Sequence, residues 1–287
     1  MALYRGMTGD ELEAQYNLRA RRPDFDDVVA GWLERCAAFR EASGAQCDIA
    51  YGPGERETFD LFPAREPTGA LLIYIHGGYW QRGDKGMYSF VAEPFLENGV
   101  TVAVLNYNLC PSVRLGEIAP QIRRAVISLH ASAGDHGYDG NQLYVMGHSA
   151  GGHLTAMMMA TDWPAHDSGL PADLVKAGVP ISALFELEPL VHTSINEGPR
   201  MDVEEAIRES PMFMAPATDA PQLVVVGGAE TPEFHRQSDD YCEKYRTDGR
   251  RIDRYSVPDA DHFDELNRLA EADSEFFRRS IALIRDG

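Results

Sequence analysis

Ser149, His262 and a small set of carboxylates are the residues of this chain whose types and order could carry out nucleophilic chemistry. Ser149 stands in Gly147-His148-Ser149-Ala150-Gly151-Gly152-His153, between an apolar run at 143–146 and a helix-like run at 154–160. A serine hydroxyl is hardly ionised near neutral pH, so attack requires a base that takes its proton. His262, the last histidine, lies in Pro258-Asp259-Ala260-Asp261-His262-Phe263, between the last apolar run and the C-terminal helical stretch. A third group must accept the imidazole Nδ1 proton and stabilise the cation. Glu230, in Gly227-Gly228-Ala229-Glu230 just past the apolar run 222–226, is the first choice, and Glu233 is the runner-up. Asp259 and Asp261 rank lower, because near neighbours in one loop rarely reach the partner's Nδ1. Backbone N–H groups must then meet the developing oxyanion. Those of Gly78 and Tyr79, in His76-Gly77-Gly78-Tyr79-Trp80, and of Ala150 are the candidates.

Such residues need a scaffold that ends several strands at one place. Gly-x-Ser-x-Gly between strand and helix resembles the nucleophile elbow of α/β-hydrolases, and His-Gly-Gly after an upstream strand resembles their oxyanion loop. The hydrophobic pattern agrees. Strands are expected at 46–51, 58–62, 70–75, 101–106, 142–146, 177–182, 222–226 and 252–257. Helices are expected at 87–98, 115–131, 150–160, 203–209, 237–247 and 264–284. The alternation predicts a central, mostly parallel sheet flanked by helices. The first two runs, around Gly52-Pro53-Gly54-Glu55, read as a hairpin leading into that sheet. A single domain is expected over 1–287, with 1–44 as an N-terminal helical segment and 183–216 as a cap insertion. Thr8 to Glu11 forms a capping box, and 24–42 carries apolar residues at helical spacing. That segment either docks on the core or walls the pocket. The stretch 183–216 either covers the site or packs on itself as a surface excursion.

The chain has 287 residues, 44% of them hydrophobic, which suits one large core better than two small ones. Its net charge of −19 argues against nucleic acid and anionic membrane as partners. No apolar segment is long enough for a signal peptide or a membrane span, and the four cysteines are scattered. These features predict a cytoplasmic protein with reduced thiols. A small molecule is the expected partner, and the oligomeric state stays open, a homodimer among the options. No metal site is expected, since no histidine pair has ligand spacing with an acidic residue, and no cofactor motif is present.

Of the other histidines, His76 and His148 read as loop-shaping, His153 sits one helical turn beyond the serine, and His130, His136 and His166 lie in polar surroundings. Substrate contacts are assigned to Trp80, Phe185 and His192. Tyr79 and Trp80 either close the acyl side of the pocket or hold the oxyanion loop by packing.

Five blocks carry a closer likeness: Tyr74-Ile75-His76-Gly77-Gly78-Tyr79-Trp80, Asn106-Tyr107-Asn108-Leu109-Cys110-Pro111, Gly147 to His153, Glu230-Thr231-Pro232-Glu233-Phe234-His235-Arg236-Gln237-Ser238 and Asp261-His262-Phe263. Together they resemble kynurenine formamidase (arylformamidase). The resemblance implies a serine hydrolase with Ser149, Glu230 and His262 as its triad, and it favours Glu230 over Glu233. It departs where aspartate is expected in some relatives and this chain has glutamate. The implied reaction is cleavage of an aryl formamide such as N-formyl-L-kynurenine to kynurenine and formate through an acyl-enzyme. A carboxylesterase for small acyl esters, or a related amide or carbamate hydrolase, is the alternative. A catalytically dead hydrolase fold that only binds is the rival from another class, and intact motifs speak against it.

Overall fold

A computed structural model describes residues 2–246 and 250–286. The chain opens with helices α1 (Gly9–Tyr16) and α2 (Phe25–Ala42). The sheet begins with β1 (Gln46–Ala50), β2 (Thr58–Phe62) and β3 (Leu71–Ile75). Helix α3 (Glu93–Glu97), β4 (Thr101–Leu105), α4 (Ile118–Ala131), the single turn α5 (Ala133–His136) and β5 (Leu143–His148) follow. Next come α6 (Ala150–Met159), the short α7 (Trp163–His166), β6 (Val175–Ile181), α8 (Val203–Arg208), β7 (Gln222–Gly227) and α9 (Pro232–Arg246). Strand β8 (Ile252–Val257) and helices α10 (Asp264–Leu269) and α11 (Glu275–Asp286) complete the order.

The eight strands form one sheet in the order β1-β2-β4-β3-β5-β6-β7-β8. β1 and β2 form the hairpin, β2 also runs antiparallel to β4, and every later pairing is parallel. Parallel strands covered on both faces read as continuous apolar runs, and β3, β4 and β5 are buried along their whole length. Alternate side chains divide between two cores. Leu71, Ile73 and Ile75 face the core that holds α1, α4 and α6, whereas Leu72 and Tyr74 face the core that holds α2, α3, α10 and α11. Helix α6 is buried all round, which explains its lack of a polar stripe. This is the α/β-hydrolase architecture, with the β5–α6 turn at its centre.

Several boundaries differ from the sequence expectation for identifiable reasons. The helix expected at 87–98 is two 3-10 turns, Lys85–Met87 and Ser89–Ala92, followed by α3. Pro94 has no N–H to donate and is accommodated in the first turn, so the α-helix starts at Glu93. The single helix expected at 264–284 is split into α10 and α11, because Ser274 Oγ caps a new N-terminus by accepting the Phe277 N–H at 3.0 Å. Helix α9 starts at Pro232 rather than residue 237, and the final residue expected in it, Thr247, lies outside the described residues. The stretch 183–216 consists of short turns and α8, and sends Leu184, Leu187 and Leu190 into the core. Among the described residues, no helix is long and apolar enough to cross a membrane. All four cysteines are free.

Candidate active site

The parallel strands deliver the chemistry-bearing residues at their carboxyl ends, where open α/β sheets gather ligands. His76 follows β3, Ser149 follows β5, Ser182 follows β6, Glu230 follows β7 and His262 follows β8. Ser149 occupies the turn into α6 with φ 57° and ψ −117°, a left-handed conformation costly for a side-chain-bearing residue. Its N–H is held by the Ile181 carbonyl at 2.8 Å. Gly151 makes the turn sterically feasible, since a Cβ there would lie 2.0 Å from the Ile75 carbonyl oxygen. That contact is with backbone at the centre of the sheet, so it cannot relax cheaply. We expect Gly151→Ala to cost about 3 kcal/mol or more of folding stability. A denaturant midpoint equal to that of the unsubstituted protein would contradict this packing argument.

His262 is buried, and its Nδ1 lies 3.0 Å from Glu230 Oε1 and 3.2 Å from Oε2. Phe234 and Phe263 contact the ring edge-on, with centroid separations of 5.1 and 5.3 Å. These contacts leave the imidazole little freedom to rotate away from Glu230. Ser149 and His262 line the same cavity, although no hydrogen bond joins their side chains among the described residues. In unliganded sites such bonds are commonly long and tighten on substrate binding.

Glu233 and Asp261, the other carboxylates considered for this role, are engaged elsewhere. Glu233 pairs with Arg236 at 2.8 Å and accepts the Tyr16 hydroxyl at 2.9 Å. Against the opposing effect of burial, Arg236 and Tyr16 hold its carboxyl below the usual range. Asp261 caps α10 by accepting the Phe263 and Asp264 N–H groups, and Arg22 binds it at 2.5 Å. Arg22 thereby ties the N-terminal segment to the histidine loop.

The candidate oxyanion loop runs through three successive left-handed residues, Gly78 (φ 118°), Tyr79 (φ 50°) and Trp80 (φ 58°). A Cβ on Gly78 would lie 2.2 Å from the Arg82 carbonyl oxygen, so only glycine fits this turn. Among the described residues, the N–H groups of Gly78, Tyr79 and Ala150 donate to no protein acceptor. They remain available to an incoming oxygen. The loop is held from behind. His76 stacks on Tyr107 at 4.5 Å, and the Tyr79 hydroxyl donates to the Tyr16 carbonyl at 2.6 Å. Burial lowers the His76 pKa to about 4, so it packs as a neutral ring.

Three residues assigned to substrate contact do not line the cavity. Trp80 is fully buried beneath the loop, where its Nε1–H donates to His153 Nδ1 at 3.2 Å. Its indole packs edge-on against the His153 ring at 5.0 Å. Phe185 is fully buried and stacks on Tyr241 at 4.0 Å, because residue 185 points into the core beside α9. His192 ends a half-buried 3-10 turn, Glu188–His192, and does not reach the cavity wall.

The cavity, of about 520 Å³, falls in the range of small-molecule sites. Much of its wall comes from the N-terminal segment, through Leu18, Phe25, Val29 and Trp32. Tyr79, Tyr88 and Phe263 add aromatic surface, Ser194 and Ile195 are the contribution of 183–216, and Arg19, Asp26 and Arg82 supply charge. No motif in the sequence marks the residues behind the histidine. Ser182 Oγ hydrogen-bonds Glu230 Oε1 and lies 3.0 Å from Glu265 Oε2, and Glu265 is fully buried. His148 Nε2–H donates to the His262 carbonyl at 2.8 Å and lies 3.1 Å from Glu265 Oε1. His148, His262 and Glu265 bring potential ligand atoms close together, but the His262 and His148 nitrogens facing this cluster are already bonded to Glu230 and to the His262 carbonyl. We assign no metal there.

Known proteins agree with this architecture. Residues 60–176 match the BD-FAE family. Kynurenine formamidase of Salmo salar is 32% identical over 292 residues, covering 95% of this chain and 95% of that protein. Kynurenine formamidase of Danio rerio is 30% identical over 289 residues, with 94% of each chain covered. A crystal structure from Silicibacter sp. TM1040, of a protein provisionally described as a thioesterase, superposes with a TM-score of 0.84 at 36% identity. That match covers 96% of this chain and 99% of the other. The protein is thus an enzyme, a hydrolase of amidase or esterase type. Given near full-length similarity to both formamidases, the chain belongs to the kynurenine formamidase family of α/β-hydrolases.

Proposed function

We propose that the enzyme hydrolyses an aryl formamide such as N-formyl-L-kynurenine, using Ser149 as nucleophile, His262 as general base and acid, and Glu230 as the acid that orients it. The observation that carries this reading is the 3.0 Å Glu230–His262 contact, made directly behind the cavity wall that His262 shares with the strained Ser149. Ser149 Oγ attacks the formyl carbon while His262 Nε2 takes its proton, and Glu230 stabilises the imidazolium through Nδ1–H. The former carbonyl oxygen becomes an oxyanion received by the N–H groups of Gly78, Tyr79 and Ala150. Collapse breaks the C–N bond, and His262 returns its proton to the leaving aromatic amine. Water then attacks the formyl-serine by the same route, which releases formate and restores the hydroxyl.

The cavity supports an aromatic amine as leaving group, with Phe25, Trp32 and Tyr88 as stacking surface. Arg82 and the Arg19–Asp26 pair, joined at 3.0 Å, put both signs of charge at the cavity, as an α-ammonium and an α-carboxylate require. In this reading the chain works as one domain, with the N-terminal segment as pocket wall and 183–216 as a small cap. Thioester or ester hydrolysis is the second reading, favoured by the 36% identical structural relative. The test compares N-formyl-L-kynurenine, p-nitrophenyl acetate and a short-chain acyl thioester on one purified batch. We expect formylkynurenine to give a kcat/KM about a hundredfold or more above the other two. Turnover of only the ester or thioester would leave the triad standing and remove the formamide as substrate.

A further inference from the structure

We infer that Ser182 and Glu265 form a neutral relay behind the Glu230–His262 pair, with Glu265 held protonated and Ser182 donating its one hydroxyl proton to Glu230. The inference rests on the triad reading above and extends it by two positioning residues.

Proton counting carries the argument. Ser182 Oγ contacts Glu230 Oε1 and lies 3.0 Å from Glu265 Oε2. A hydroxyl has one proton, so it can donate to only one of these carboxyl groups. Were both ionised, the other contact would set two oxygen lone pairs against each other inside the protein. Glu265 and the Glu230 side chain are both 0% exposed, so water cannot relieve that contact. Among the described residues, no lysine or arginine pairs with either carboxyl, and Arg22 is committed to Asp261 and Asp264. The remaining groups facing Glu265 are His148, His262, Asp261, the Tyr74 hydroxyl and the Gly227 backbone N–H, which bonds the carboxyl and opposes its protonation without adding a charge. His148 is kept neutral, its pKa pushed well below the usual value by burial and by the neighbouring His262. The cluster therefore holds too many acids for its cations, and one carboxyl must carry a proton. Glu230 must accept Nδ1–H from His262, which leaves Glu265. Burial and then the charge on Glu230 push the Glu265 pKa well above the carboxylate range, in the same direction. The resulting chain is Glu265 O–H to Ser182 Oγ, Ser182 O–H to Glu230, and His262 Nδ1–H to Glu230.

Two donors thus hold the Glu230 carboxylate, Ser182 at Oε1 and the His262 Nδ1–H between Oε1 and Oε2. The test combines infrared spectroscopy with kinetics. A protonated-carboxyl C=O band should be present in the unsubstituted protein at neutral pH and absent from Glu265→Gln. Ser182→Ala should lower kcat/KM about tenfold. It should also move the acid limb of the pH profile upward, because Glu230 without its hydroxyl donor stabilises the imidazolium more strongly. Glu265→Gln, whose amide N–H replaces the carboxyl O–H, should stay within about threefold with the limb in place. Absence of the band in the unsubstituted protein overturns the proposal, and needs no variant to fold. So does a Gln variant that falls as far as Ser182→Ala, or an Ala variant that moves neither rate nor limb. Failure of the triad reading would show separately, as hydrolysis surviving Ser149→Ala while the band persists.

Discussion

Ser149→Ala is expected to remove the acyl-enzyme route for every substrate the enzyme accepts, with a fall in kcat of about 10⁵-fold to 10⁶-fold. The size follows from what remains. Without the hydroxyl no acyl-enzyme can form, and His262 has no proton to take. The three free N–H groups and the cavity still bind and polarise the carbonyl, which leaves a residual rate about 10³ to 10⁴ above water. Folding should be little affected. Ser149 already accepts the left-handed backbone of the elbow, and alanine removes one oxygen without adding bulk. Unchanged thermal unfolding beside lost activity would locate the loss in the chemistry. Mass spectrometry of the unsubstituted enzyme quenched during turnover should find one acyl group on the peptide containing Ser149. Hydrolysis by purified Ser149→Ala at the original rate would reject the nucleophile assignment.

The parts of this protein encoded by neighbouring residues are legible from the amino-acid order alone. β3, β4 and β5 are continuous apolar runs because both faces of the sheet are covered, so their period is absent but their length is diagnostic. The elbow is legible because a serine on so sharp a turn demands small neighbours in a fixed order, as the contact of Gly151 with Ile75 shows. Ser149, Glu230 and His262 each stand just after a strand, and parallel strands with a common exit bring them to one end of the sheet. What resists reading is set by distant contacts. An amphipathic pattern in α2 says that one face is buried, but not that Phe25, Val29 and Trp32 wall a pocket. Trp80 and Phe185 are aromatic residues near motifs, and only their partners His153 and Tyr241 reveal that both are packing residues. Ser182 and Glu265 meet through β6 and α10, far apart in the chain, so neither carries a local signal.

Glu230→Ala should lower kcat about 10⁴-fold, whereas Glu233→Gln should leave it within about tenfold. The contrast follows from geometry. Among the described residues, only Glu230 hydrogen-bonds His262 Nδ1, and its backbone is held by a turn in which its N–H bonds the Gly227 carbonyl at 3.2 Å. The longer glutamate side chain suits this site. Its carboxylate passes the end of β7 to meet both the imidazole and Ser182, whose Oγ lies at the end of the neighbouring strand. Loss of the carboxylate removes two things at once. The imidazole loses the partner that fixes its tautomer, and the imidazolium formed during attack loses its counter-charge in a buried site. Glu233 instead joins α9 to the N-terminal segment through Tyr16 and pairs with Arg236 within α9, so its neutral variant should weaken that wall. The expected signature is a raised KM and lower thermal stability with kcat nearly preserved. Steady-state kinetics on the two variants, each checked for folding by circular dichroism, separates the roles. Equal losses of kcat in both would mean that the catalytic acid is not assigned by proximity to Nδ1, and the reverse ranking would move it to Glu233.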